Sequence, residues 1–171
     1  GAFMSLLNIS IMNELIVGRD ISSPSKILNE QRKQIIKSLN SQGRDNSHDG
    51  MDCVLCKYDL TTNILTFAAA NSSLWLLRDK KIIKFKGDKM PVGKFINEEK
   101  EFSEQIIDLQ KGDLIYTFTD GITDQFGGDH DKKFKPRRLE ALLLEVQDQP
   151  VDDQKFIIMR TLEKWIGEGE Q

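Results

Sequence analysis

The apolar residues of this chain change their spacing at Met51, and that change limits the folds open to it. Before Met51 the spacing is helical. Met4, Leu7, Ile11 and Leu15 recur every three or four residues, and Phe3, Leu6, Met12 and Ile16 widen the stripe. Gly18 is a natural stop for a helix over Ala2 to Val17. Burying about six such side chains is worth on the order of 10 kcal/mol, provided that a sheet or second helix covers them. Ser22-Ser23-Pro24 marks a second helix start, and its pattern runs to about Leu39, with Leu28, Ile35 and Ile36 inward and Lys and Gln outward. Ser41 to Gly50 is polar and reads as a loop.

From Met51 the period is two. Met51 to Tyr58, Ile64 to Ala70, Leu74 to Arg78 and Lys81 to Lys86 read as four strands of a meander, because the links between them are short. Ile64 to Ala70 is apolar on both faces, so both sides of its sheet need cover. Gly87 to Gly93 reads as a structured loop, and Phe102 to Leu109 as a further strand. Arg138 to Gln147 and Asp153 to Ile166 return to helical spacing. Helices, then five or six antiparallel strands, then helices predict an α+β fold with helices packed on β layers.

The stretch Asp113 to Gly128, D-L-I-Y-T-F-T-D-G-I-T-D-Q-F-G-G, carries the strongest chemical signal. Leu114 to Thr119 reads as a buried strand. It stops at Asp120-Gly121, where Gly121 permits a sharp turn. Ile122 to Phe126 is expected to begin a short helix, which puts Asp120 and Asp124 on one face. Two like charges about 4 Å apart repel by roughly 4 kcal/mol at an effective dielectric near 20. A divalent cation relieves that repulsion, and hard carboxylate oxygens suit magnesium or manganese. The plain alternative is a strand-end turn with two solvated acids. A haloacid-dehalogenase reading is set aside, because its nucleophilic Asp belongs where this chain has Phe118.

Other features bound the function. The 171 residues suit one domain, and a net charge of −3 gives no footprint for nucleic acid. Basic residues at Lys80 to Lys89 and Lys132 to Arg138 read as solvated faces, as does the acidic stretch Glu98 to Glu104. No apolar run reaches the roughly 20 residues of a membrane span, no signal peptide is recognised, and a cytoplasmic protein is expected. Cys53 and Cys56 invite a redox or zinc reading. On a strand, however, a separation of three puts them on opposite faces, and no second pair completes a zinc site. They read as two core thiols of a reducing compartment. Asp129, His130 and Asp131 read as a polar loop rather than a metal cluster.

Five pieces in order resemble the SpoIIE-type domain of the metal-dependent, phosphatase 2C-like serine/threonine phosphatases. They are G-A-F-M-S at Gly1 to Ser5, N-E-L-I at Asn13 to Ile16, D-G-M-D-C at Asp49 to Cys53, K-G-D-K-M-P-V-G at Lys86 to Gly93 and T-F-T-D-G-I-T-D-Q-F-G-G at Thr117 to Gly128. The resemblance implies an α-β-β-α sandwich of antiparallel sheets flanked by helix pairs. It implies a two-metal site, manganese or magnesium, that hydrolyses phosphoserine or phosphothreonine through a shared water. Asp120 matches the metal aspartate of the family's T-D-G, and Asp124 a further acid near a weaker metal position. Gly1, Ala2, Thr119 and Gly121 would line the site, with the free N–H groups of the first helix facing phosphate.

The family also has a G-D pair and a D-x-T-G-H-G segment before G-A-F-M-S, and a D-D pair after a segment like W-I-G-E-G-E-Q. Neither falls within this sequence, so the resemblance implies a fold incomplete at its N- and C-terminal strands and an incomplete ligand set. A weakly active or inactive piece is expected, with self-association through exposed sheet edges or faces. Implied substrates are phosphoprotein regulators such as anti-sigma-factor antagonists. The competing readings are a non-catalytic phosphoprotein-binding module and, more weakly, a redox protein using Cys53 and Cys56.

Overall fold

The structure, a computed structural model, describes residues 2–19, 21–41, 50–96 and 99–167. The chain divides into two compact units, Gly1–Leu74 with Lys86–Lys111 and Trp75–Phe85 with Gly112–Gln171. The two share one construction, a helix pair laid over a three-stranded sheet, so the expected α+β class with antiparallel sheets and flanking helices is what forms.

In the first unit, α1 (Ala2–Asn13) runs into a π-helical segment (Glu14–Gly18), closed by Arg19 N–H donating to the Glu14 carbonyl at 3.0 Å. Ile11 and Leu15 are buried as their spacing predicts, but Leu6, Ile9, Ile16 and Val17 are exposed, so the buried stripe is narrower than the sequence suggested. Helix α2 (Pro24–Ser41) starts at Pro24, whose missing N–H costs nothing at that position. Its first turn is capped from a distance. Glu104 Oε2 accepts hydrogen bonds from Ser23 Oγ (2.6 Å), Ser25 Oγ (2.8 Å) and Ser25 N–H (3.2 Å). Gln31, expected outward with the other Gln and Lys residues, is buried instead, and so is Arg32. Gln31 Nε2 donates to Asn8 Oδ1 at 2.9 Å, joining α2 to α1, and Arg32 Nη2 donates to the Lys100 carbonyl.

Helix α2 packs on β2 (Cys53–Asp59), β3 (Ile64–Ala70) and β6 (Val92–Gly93), and β1 (Gly50–Met51) and β7 (Gln105–Asp108) complete the strands of this unit, with β4 (Ser73–Arg78) and β5 (Lys81–Lys86) lying between them in chain order. Strand β3 is central and pairs antiparallel with β2 and β7, Cys53 facing Ala70 and Leu65 facing Ile107. Ala68 and Ala70 join Leu28, Ile35, Met90 and Val92 in the core beneath the helices. Leu65, Phe67 and Ala69 on the other face are buried too, as a strand apolar on both sides requires. The loop expected over Gly87 to Gly93 contains β6, which pairs with β1, and Asp52 separates β1 from β2. Ser41 to Gly50 lies almost wholly outside the described residues.

The meander is the expectation that fails. Strands β3 and β4 are adjacent in sequence but belong to different sheets, ordered β2-β3-β7 and β5-β4-β8. The second edge of β3 is taken by β7. At Asn71 the backbone turns to φ 48°, and Asn71 N–H donates to the Asp88 carbonyl, so β4 does not fold back on β3. Phe102 to Leu109 is a strand only over β7, because Phe102 is buried in the helix-side core and Ser103 is held by Asp88.

In the second unit, β4 and β5 form a hairpin through Asp79 and Lys80, both with positive φ, the backbone of a tight two-residue turn. Strand β8 (Leu114–Thr117) lies on the other side of β4. It is only half-buried, with Ile115 and Thr117 exposed, not the buried strand that its composition suggested. Arg78 grips Asp113 with two hydrogen bonds of 2.9 and 2.6 Å where β4 ends and β8 begins. After α3 (Asp120–Thr123) comes a small hairpin of β9 (Phe126–Gly127) and β10 (Lys132–Lys133). Helices α4 (Lys135–Val146) and α5 (Val151–Ile166) close the unit over Trp75, Tyr116 and Phe118, and Tyr116 Oη donates to Gln154 Oε1 at 2.7 Å.

Candidate functional site

Strand β8 ends at Thr117, two residues before Thr119, whose extended backbone (φ −87°, ψ 162°) lets Asp120 open α3. Asp124 N–H donates to the Asp120 carbonyl at 2.7 Å, one full helical turn. Thr123 is buried and its Oγ1 donates to the same carbonyl at 3.1 Å, which fixes the turn from inside. Thr119, Asp120, Gly121 and Asp124 therefore lie on one exposed turn. The helix is shorter than the stretch Ile122 to Phe126 implied, because β9 starts at Phe126. Gly121 has no positive φ, and a Cβ there would meet only Thr119 Oγ1 at 3.4 Å, so it is not needed for a sharp turn.

The two carboxylates differ. Lys133 Nζ, brought back by the β9–β10 hairpin, donates to Asp124 Oδ2 at 2.7 Å. Among the described residues Asp120 makes no ion pair. Lys133 was missed as a site residue because it sits in a run read as a solvated basic face. The signal was there in the turn-forming G-G-D-H-D before it, which returns the chain nine residues after Asp124.

The segment is seated on Trp165. Gly128 N–H donates to the Trp165 carbonyl at 2.7 Å, and Trp165 Nε1 donates to the Gln125 carbonyl at 3.1 Å. Gly128 has φ +69°, and a Cβ there would lie 2.8 Å from the indole ring, so this position needs glycine on two counts.

Of the other sequence-predicted positions, Gly1 lies outside the described residues, and Ala2 opens α1 in the first unit. Asp129, His130 and Asp131 are exposed at the tip of the β9–β10 hairpin, a turn as expected. Cys53 is partly buried and Cys56 exposed, so only Cys53 belongs with the core. Strand β2 is an edge strand whose outer half faces solvent, and that places Cys56 outside. Burial, reinforced by the Asp52 carboxylate, pushes the Cys53 thiol up to about 11, and burial raises Cys56 as well. Neither thiol is poised as a thiolate nucleophile.

Among the described residues no group of three His, Cys, Asp or Glu side chains could share a metal ion. One unpaired carboxylate and one already neutralised by lysine do not fit a two-ion centre on their own.

No curated protein matches the sequence. Solved structures do. The chain is similar to the SiaA-PP2C domain of Pseudomonas aeruginosa, with a TM-score of 0.87 and 27% identity over 100% of this chain and 65% of that one. It therefore spans just under two thirds of that domain's length. It shares its fold with the phosphatase domain of the cell fate determinant SpoIIE from Bacillus subtilis. The manganese-presoaked form gives a TM-score of 0.55 at 19% identity over 88% of this chain and 68% of that one. A second structure of that domain gives 0.51 at 17% identity over 95% and 69%. The sequence model of the family Stage II sporulation protein E (SpoIIE) matches residues 1–171, so the chain belongs to the SpoIIE family.

Proposed function

We propose that the chain forms part of a protein serine/threonine phosphatase that acts on a phosphorylated regulatory protein in bacterial signalling. The observation that carries this reading is Asp120. It is a carboxylate without an ion pair among the described residues, at the start of a structured turn and in the T-D-G position of a chain that matches the family throughout. Its oxygens are hard donors of the kind manganese and magnesium prefer. Such ions would supply an activated water and charge neutralisation for phosphoryl transfer. This chain's own part is to hold the Asp120 carboxylate on the turn locked by Thr123, with Thr119 and Gly121 beside it and Asp124 in reserve behind its lysine. Since the described residues do not make up the whole centre, no step of hydrolysis is assigned to them. An anti-sigma-factor antagonist suits the substrate class, a cytoplasmic setting suits such a partner, and pairing of copies through the outer edges of the sheets is consistent with the edge strands β2, β7, β5 and β8 of the two three-stranded sheets.

The test is manganese-dependent hydrolysis of p-nitrophenyl phosphate by the protein at its natural length. Asp120→Asn is expected to lower kcat/KM on the order of 100-fold with the fold intact. An unchanged rate overturns the assignment. The Lys133–Asp124 pair favours a second reading, a phosphoprotein-binding module without turnover. Phosphopeptide binding without manganese-dependent hydrolysis would select it.

A further inference from the structure

Helices α4 and α5 leave between them an open cleft of about 380 Å³, within the range of small-molecule sites. Its floor is apolar, formed by Leu142, Phe134 and the indole of Trp165. Its rim carries Arg138 and Lys164 against one acid, Glu145. Elsewhere in this unit Lys84 pairs with Glu140 and Lys133 with Asp124. Among the described residues neither Arg138 nor Lys164 is in an ion pair. Arg138 lies instead over the Trp165 ring, 4.3 Å from its centroid, with its fork of donors unclaimed by any carboxylate.

The indole is also a stiff wall. Trp165 meets Phe134 edge to face at 5.5 Å, donates to Gln125 and backs onto Gly128, so little freedom remains to be lost on binding. An apolar floor beneath two cations that form no ion pair among the described residues fits an anion on a flat apolar body. We propose that this cleft binds a small organic carboxylate, its ring against Trp165 and Leu142 and its charge held by Arg138 and Lys164. Because Trp165 holds Gln125 and Gly128 just after Asp124, occupancy reaches the segment that carries the candidate metal carboxylates. The binding itself is independent of phosphatase activity.

The test is a titration of the ¹⁵N-labelled protein with 2-naphthoate, with 2-naphthamide as the uncharged control of the same shape. The indole N–H signal of Trp165 and the amide of Gln125 are expected to shift saturably while the indole of Trp75 stays still. Naphthoate should bind at least about tenfold more tightly than the amide, a difference of one charge-assisted contact. Arg138→Gln with Lys164→Gln should abolish that preference, and Ala141→Phe, which fills the cleft, should abolish the shifts. Equal affinity for acid and amide, no saturable shift at millimolar naphthoate, joint movement of both tryptophans, or a response that survives Ala141→Phe in a folded protein overturns the proposal.

Discussion

Asp120 and Asp124 stand one turn apart, yet their neighbours give them different work. Lys133 neutralises Asp124, while Asp120 faces solvent without an ion pair among the described residues. The Lys133–Asp124 pair is about half exposed on both sides, so it contributes little to the fold. Lys133→Ala should lower stability by less than about 1 kcal/mol in a urea titration, and a larger loss would mean that the pair holds the β9–β10 hairpin in place. The cysteines give a second test at this scale. With the Cys53 thiol near 11 and Cys56 also raised, Ellman's reagent should label both slowly at pH 7 and faster as pH rises, Cys53 last. Rapid stoichiometric labelling at neutral pH would contradict the burial argument, and a drop in phosphatase activity in Cys53→Ser would revive the redox reading. Asp120 and its turn were legible because an Asp-Gly pair after a β-branched strand is a local signal. The Lys133 contact was not, because it depends on a hairpin whose return only the folded chain reveals.

At the scale of elements, two carboxylates act as remote fasteners. Glu104 caps α2, and Asp88 Oδ2 receives Ser103 N–H at 2.7 Å and Ser103 Oγ at 2.8 Å. For each, partial burial opposes ionisation but the hydrogen bonds outweigh it, with Lys100 assisting Asp88. Both carboxyls end below their ordinary values. A depressed carboxyl stabilises the fold fully above its unfolded value and loses that contribution as pH falls through the folded one. The thermal midpoint should therefore hold from pH 7 to 5 and fall once pH drops below the ordinary values of 4.5 for Glu104 and 3.8 for Asp88. Glu104→Gln should reduce that acid dependence, and an unchanged profile would refute the capping role. Asp113, nearly buried and held by both arms of Arg78, predicts a larger effect. Asp113→Ala should cost about 3 kcal/mol in chemical denaturation, because it removes two carboxylate hydrogen bonds from a guanidinium that is mostly out of water. The helices and most strands could be read from spacing alone. The sheet order could not, since the choice between β7 and β4 as partner for β3 rests on a contact about 40 residues distant along the chain and on the turn at Asn71.

Across the whole molecule, each unit repeats one plan, two helices over three strands, and each core draws its side chains from the faces that the two periodicities predict. That plan was legible because periodicity is written into every element. The candidate site was legible only in part, because the described residues supply a turn and two acids where a two-ion centre needs more donors. What the account claims is that Asp120 is a ligand for a divalent cation. Isothermal titration of the protein at its natural length with manganese tests this most directly. The account predicts that Asp120→Asn weakens binding by at least about tenfold while Asp129→Asn, on the exposed hairpin tip, leaves it unchanged. Equal manganese affinity in wild type and Asp120→Asn would contradict it.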